Sequence, residues 1–273
     1  MSRTFTAALS LLLVLAIGGV SLAENAAKEA KSKVKNLAKG AQTVKLANQS
    51  AEGAAEVDLF QAIADDQIEV GVVQSAMKGG KLFVKNKTNQ PLSVKLPKAF
   101  GTRPIMGQDA AGGNMNQLLG GNGMGGGMGG GMGGMGGMGG MGGGGFMNVP
   151  AEAVHAIKYQ SVCLEYGKPE PNANVAYEIC PIEECTSKPE VIALVQALGS
   201  VDLRSAQFAA WHLSSGTPVQ HLASETVLHV NGVTTTNFSA QEVQQGLQLI
   251  RMARAAVANA QPAAVESSSS SEY

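Results

Sequence analysis

Residues 68–96, IEVGVVQSAMKGGKLFVKNKTNQPLSVKL, carry the pattern on which the fold depends. Apolar and polar side chains alternate over 68–72, 81–85 and 92–96. A period of two is typical of a half-buried β-strand, and the glycine pair 79–80 and the segment 89–91 between these runs are turn formers. Three strands joined by short turns predict part of an antiparallel sheet.

Strand-like runs continue further along the chain, at 154–159, 161–165 and 175–179. Because the three early strands need partners and a closing layer, the economical interpretation is one domain. We therefore predict an α+β protein in which residues 58–185 form an antiparallel, immunoglobulin-like β-sandwich. Asp58 is placed to cap a short helix at the start of this domain.

A tract of Gly-Gly-Gly-Met and Gly-Gly-Met repeats interrupts the predicted sandwich and holds most of the 35 glycines of the chain. Glycine loses the most backbone entropy on ordering and buries no side chain. We predict a disordered Gly/Met-rich loop over 107–146, inserted within the sheet domain. Each doubling of loop length costs only about 0.6 kcal/mol, so such an insertion is tolerated.

Helical signals dominate residues 186–260, which predict a small helical domain with a β-hairpin. Ser187 and Glu190 fit a capping box, and so do Ser239 and Glu242, each before an apolar stripe of helical period. Asp202 is placed to cap another helix, and the pair 231–232 (Asn-Gly) predicts the hairpin turn. The serine-rich segment 261–273 predicts a disordered tail.

The N-terminus has the features of a secretory signal over residues 1–23: Arg3, an apolar run over 7–20, and a small-residue ending at Ala23. We expect an exported protein, in the periplasm, on the cell surface or outside the cell, with no membrane span once the signal is removed. Residues 24–57 are rich in Ala and Lys and predict a helix or a disordered stalk. Its lysines either contact an acidic surface polymer or are simply solvated.

Net charge −1 and a pI near 6.4 argue against nucleic acid as a partner. No P-loop, GxGxxG, HExxH or GxSxG motif occurs, so we expect a non-enzymatic protein without a cofactor. In an exported protein, Cys180 and Cys185 predict a local disulfide, with free thiols as the alternative. A metal hypothesis concerns the soft thioethers of the tract, which favour copper(I): Met128, Met132, Met135, Met138 and Met141. The alternative is that these methionines are adaptable apolar contact points.

Two short segments carry a candidate reactive pair. Cys163 lies between Val162 and Leu164, and Gln207 lies in the segment Ala206-Gln207-Phe208-Ala209-Ala210-Trp211. These segments resemble the thioester domains of bacterial surface adhesins, although Ala206 stands where that motif has threonine. The resemblance implies that Cys163 supplies the thiol and Gln207 the acyl group of an internal thioester, which would capture amines on another surface.

A broader likeness rests on the segments 66–70, 84–92, 96–100, 162–168 and 209–213. Together they resemble an uncharacterised family of exported, glycine-tract-bearing planctomycete proteins, which implies a compartment and an architecture but no activity. The sequence thus predicts an exported interaction or structural protein of the cell envelope or extracellular space, with other envelope or extracellular proteins or polymers as partners. Covalent attachment through the thioester and copper(I) binding are the alternatives.

Overall fold

The computed structural model describes residues 25–74, 79–105, 119–122, 145–171 and 173–260. The predicted signal (1–23) and tail (261–273) lie outside these ranges. Helix α1 spans 25–40 and is followed by β1 (Gln42–Thr43) and β2 (Ala55–Asp58), two strands that the prediction of a helix or a disordered stalk over 24–57 did not include. Helix α2 (Leu59–Ala64) follows, and its first turn donates two backbone N–H groups to the Asp58 carboxylate, which confirms the predicted cap.

The next eight strands supply the sheets: β3 (Ile68–Gln74), β4 (Gly80–Asn86), β5 (Leu92–Lys95), β6 (Phe100–Pro104), β7 (Leu119–Asn122), β8 (Phe146–Val149), β9 (Val154–Cys163) and β10 (Tyr177–Pro181). The remaining elements are α3 (Ile182–Cys185), α4 (Pro189–Gln196), α5 (Leu203–Ser215), α6 (Val219–Ser224), β11 (Thr226–Leu228), β12 (Thr234–Thr236) and α7 (Ala240–Ala260).

Six strands are paired in a closed antiparallel ring. In order around the ring they are β9, β4, β3, β10, β6 and β7, and β7 pairs again with β9. Strand β1 adds to β9 in parallel, and β2, β5 and β8 form a separate three-stranded sheet. This topology confirms a mixed α+β chain with a mostly antiparallel sheet and a C-terminal helix. It does not confirm the immunoglobulin-like sandwich, because the ring joins strands that a sandwich would divide between two sheets.

The predicted loop over 107–146 needs a correction at two places. Leu119–Asn122 form strand β7, which bonds to β6 on one side and β9 on the other, and Phe146 is the first residue of β8. Ladder hydrogen bonds use only backbone groups, so a strand with glycines at 120 and 121 still closes the ring. The rest of the tract, residues 106–118 and 123–144, lies outside the described residues.

The hydrophobic core is continuous from the strands to the C-terminal helices. Its members include Leu82 on β4, Val162 on β9, Phe208 on α5 and Ile250 on α7. The division of the chain near residue 186 stays a prediction. No helix in the described ranges has the length and apolar character needed to cross a membrane.

The helix ends test the predicted caps. Ser239 and Glu242 exchange the two hydrogen bonds of a capping box at α7, and the Asp202 carboxylate accepts from the Ser205 N–H at α5, as predicted. The capping box at Ser187 is wrong. Helix α4 begins at Pro189, which has no N–H to cap, and no side chain caps its start.

Candidate functional site

Cys163 and Gln207, the predicted thioester pair, are in direct contact. Cys163 is the last residue of β9, and Gln207 lies in the second turn of α5. The Cys163 N–H donates to Gln207 Oε1 at 2.8 Å, and Gln207 Nε2 donates to the Cys163 carbonyl at 2.9 Å. Both residues are almost completely buried. The side-chain amide of Gln207 therefore takes the place of a neighbouring strand at Cys163, on the edge of β9 that β7 does not occupy.

The contact is a pair of hydrogen bonds between a side-chain amide and the main chain, here called the backbone bracket. Both polar atoms of the Gln207 carboxamide are bonded to the Cys163 main chain. A strand side chain leaves perpendicular to the ladder, so the Cys163 sulfur projects out of the plane of the carboxamide. Burial raises the pKa of the Cys163 thiol to about 12, with a smaller contribution from Glu170. At neutral pH the thiol is protonated and a poor nucleophile.

The C-terminal end of α5 continues the bracket along the chain. The hydroxyls of Ser214 and Ser215 donate to the Leu164 carbonyl, and the Tyr166 N–H donates to Ser215 Oγ. Neither serine was predicted to take part in this site. The sequence did carry a signal for this role, because the hydroxyls of a serine pair before a helix-ending glycine can hydrogen-bond to backbone groups outside the helix. Helix α5 thus holds Cys163 at the end of β9 and Leu164 and Tyr166 just after it.

Cys180 on β10 and Cys185 at the end of α3 lie together. Their Sγ atoms are 2.7 Å apart and both residues are buried and unbridged. A side chain at Gly101 would occupy the space of the Cys185 sulfur, so this glycine makes room for the pair. The hydrogen bond from Cys185, followed by the nearby Arg103 guanidinium, lowers the pKa of Cys180 despite its burial. The two thiols are placed for a disulfide, whose formation stays a prediction.

Metal ligands do not converge in the described part of the chain. No group of three or more His, Cys, Asp or Glu side chains there is arranged to hold an ion. Of the histidines, His221 contacts Tyr166, and His212 contacts the Thr217 carbonyl and Arg254. The five methionines proposed as copper(I) ligands, Met128, Met132, Met135, Met138 and Met141, lie outside the described residues, so that hypothesis stays a prediction.

The β11–β12 hairpin stands on a firmly bonded base. Glu225 precedes β11 and Asn237 follows β12; the Asn237 N–H donates to the Glu225 carbonyl and its side-chain amide to the Glu225 carboxylate. The Tyr166 hydroxyl also donates to Glu225, and the Arg204 guanidinium donates to Asn237. The base of the hairpin is therefore tied to the loop after β9 and to α5.

The tip of the hairpin is apolar and open to solvent. Leu228 is 71% exposed, Val233 is 51% exposed and Val230 is fully exposed. From residue 226 to residue 237 there is no Asp, Glu, Lys or Arg. Exposed apolar side chains on an uncharged strand pair are typical of a contact surface or an aggregation hazard. The sequence predicted the hairpin from Asn-Gly but did not indicate that its tip is exposed.

Comparison with protein-family models, with curated proteins and with solved structures finds no match.

Proposed function

We propose that the protein is an exported, non-enzymatic interaction protein of the cell envelope or extracellular space, and that the β11–β12 hairpin is its contact surface. The exposed, uncharged tip on a bonded base is the observation that carries this proposal. The base orders the hairpin in the free protein, so binding costs less conformational entropy than ordering a loose loop would. The apolar tip supplies the surface to bury.

A photo-reactive amino acid placed at position 230, in the chain exported by its native host, tests the contact. We expect a discrete cross-linked adduct from position 230 and none from position 255, an exposed site on α7. The adduct should disappear when Leu228 and Val233 are both changed to serine, since these changes remove apolar area from the tip and leave the Asn-Gly turn. Equal cross-linking at the two positions, or none at 230, would refute the contact.

Covalent attachment through a Cys163–Gln207 thioester is the second candidate function, and the contact between the two residues favours it. Closure would require Gln207 to release both backbone bonds before the sulfur attacks the carboxamide carbon. The Cys163 S–H proton would leave with the amide nitrogen as ammonia. The bonding and the protonated thiol described above favour the bracket over the closed thioester.

One intact-mass measurement on the exported protein decides this point. We expect a chain that begins at Glu24, as the predicted signal cleavage requires, and that has the full mass of its sequence. A mass lower by one ammonia, which rises by one methylamine on treatment with that amine and which Cys163→Ala abolishes, would instead establish the thioester. Retention of residues 1–23 in the exported fraction would contradict the predicted signal.

A further inference from the structure

Helix α1 lies on the outer face of the ring and brings lysines from three elements to one side. Its Leu37 packs with Phe83 of β4 and Ala156 of β9. Lys31, Lys35 and Lys39 follow one another at four-residue spacing, which places them along one side of the helix over about 12 Å. Lys31 and Lys35 line a groove beside this helix.

Two further lysines extend this surface from the sheet. Lys81 of β4 and Lys158 of β9 are direct cross-strand partners, and both are exposed. Side chains alternate along a strand, so Lys81 lies on the same face as Phe83, and Lys158 on the same face as Ala156. The two lysines are therefore next to the place where Leu37 of α1 packs on this face. Like charges directly opposite each other destabilise a sheet, and an anion bound between them would relieve the repulsion.

The groove beside Lys31 and Lys35 has a volume of about 300 Å³. Val34 and Val73 contribute apolar surface, and Val72 and residues 173–176 complete the lining. No acidic side chain lines it, and no ion pair within the described ranges neutralises the five lysines named above. Its shape and charge suit a ring-shaped group that carries an anion.

Positive charge is concentrated in the segment that contains α1. Residues 25–45 contain six lysines and one glutamate, a net charge of +5, so the rest of the chain carries −6 to give the total of −1. Such separation attracts a polyanion to one face while the remainder of the surface repels it. Binding of this kind weakens as salt rises.

The residues around the lysines indicate which class of polyanion fits this surface. A membrane-binding basic helix turns an apolar face to the lipid, but the apolar face of α1 is packed on the ring. Single-stranded nucleic acid is held by exposed aromatic side chains, and Phe83, the aromatic residue beneath α1, is buried. A groove with an apolar floor and flanking lysines fits a sugar ring that bears a carboxylate.

We infer that this lysine surface (Lys31, Lys35, Lys39, Lys81 and Lys158) binds an acidic polysaccharide of the uronate class. The inference rests on the proposed function, because such polymers are encountered by an exported protein. It assigns a second partner surface, separate from the β11–β12 hairpin.

Titration of the full chain with polygalacturonate across a series of NaCl concentrations tests this inference. We expect binding whose affinity falls linearly in log–log form with salt. Lys35→Glu combined with Lys81→Glu should weaken binding by about tenfold or more and reduce the salt slope by about two. The matched control, Lys95→Glu with Arg251→Glu, makes the same charge change at exposed sites outside the surface and should alter affinity less than about twofold.

Two other results would overturn the assignment: no binding, or equal weakening by both double variants. The same titration is repeated with duplex DNA and with vesicles containing phosphatidylglycerol in place of polygalacturonate. Equal or tighter binding of either one through the same lysines would make the partner class wrong. Leu228→Ser with Val233→Ser should leave polygalacturonate binding unchanged, so failure here and failure of the hairpin contact are distinguishable. Circular dichroism confirms that each variant is folded.

Discussion

Replacing Gln207 with alanine is expected to lower the free energy of unfolding by about 4 kcal/mol, because two buried backbone groups of Cys163 lose their partner together. The N–H and the carbonyl are both too deep for water to reach. Cys163→Ala keeps the backbone bracket and removes only a small side chain, so it should cost about 1 kcal/mol. Chemical denaturation of the two variants beside the native chain measures both values.

Gln207→Glu separates the two halves of the bracket. The new carboxyl still accepts from the Cys163 N–H, but its second oxygen faces the Cys163 carbonyl without a proton to donate. Protonation restores a donor, so folding raises the pKa of this carboxyl above its unfolded value near 4.3. Relative to the native chain, the variant should be most stable below that unfolded pKa and lose stability as pH rises through the folded pKa. Similar small losses in Gln207→Ala and Cys163→Ala would show that the bracket does not hold β9.

Gly79→Ala is expected to cost about 3 kcal/mol, the sum of a left-handed backbone and a steric conflict. Gly79 has φ +98°, and a Cβ placed there would lie 1.9 Å from the Tyr159 carbonyl oxygen. Neither atom belongs to a flexible side chain, so β4 or β9 would have to move. Thermal and denaturant unfolding should both show the loss.

Gly167→Ala is the matched control, because Gly167 has a similar φ of +82° but a Cβ added there would meet no neighbouring atom within 4 Å. It should cost about 1 kcal/mol, from the backbone conformation alone. If the two alanine variants were equally stable, the close approach of β4 and β9 at Gly79 would be wrong.

Several strand positions were predictable from sequence, but β1, β2, β6, β7 and β8 were not, and neither were the strand partners. The runs predicted at 154–159 and 161–165 form a single strand, β9. Alternation located β3, β4 and β5, but β5 belongs to the three-stranded sheet and pairs with β2 and β8. Alternation reports which side chains are buried and says nothing of which edge receives a neighbour. Strand β7 was hidden because its central residues are two glycines, which carry no side-chain pattern.

The candidate site shows the same limit. The likeness to thioester domains singled out Cys163 and Gln207, and the structure places them in contact. The likeness could not reveal that the Gln207 carboxamide bonds to the main chain of Cys163. That contact depends on which edge of β9 other strands leave uncovered. A contact between the lysines of residues 24–57 and an acidic polymer was open to prediction, but the addition of Lys81 and Lys158 was not, because these lie on other elements and join the surface only when α1 docks on the ring.

Closure of the ring by β7 has a consequence for the order in which the chain folds. Strands β3 and β4 are joined by a short connection and can pair as soon as both exist. Strand β7 must instead find β9, which begins more than thirty residues later, after the rest of the glycine tract. Contacts between distant segments pay the cost of loop closure before they gain stability, so they form late. An exported chain would therefore complete its ring only after the whole tract has crossed the membrane.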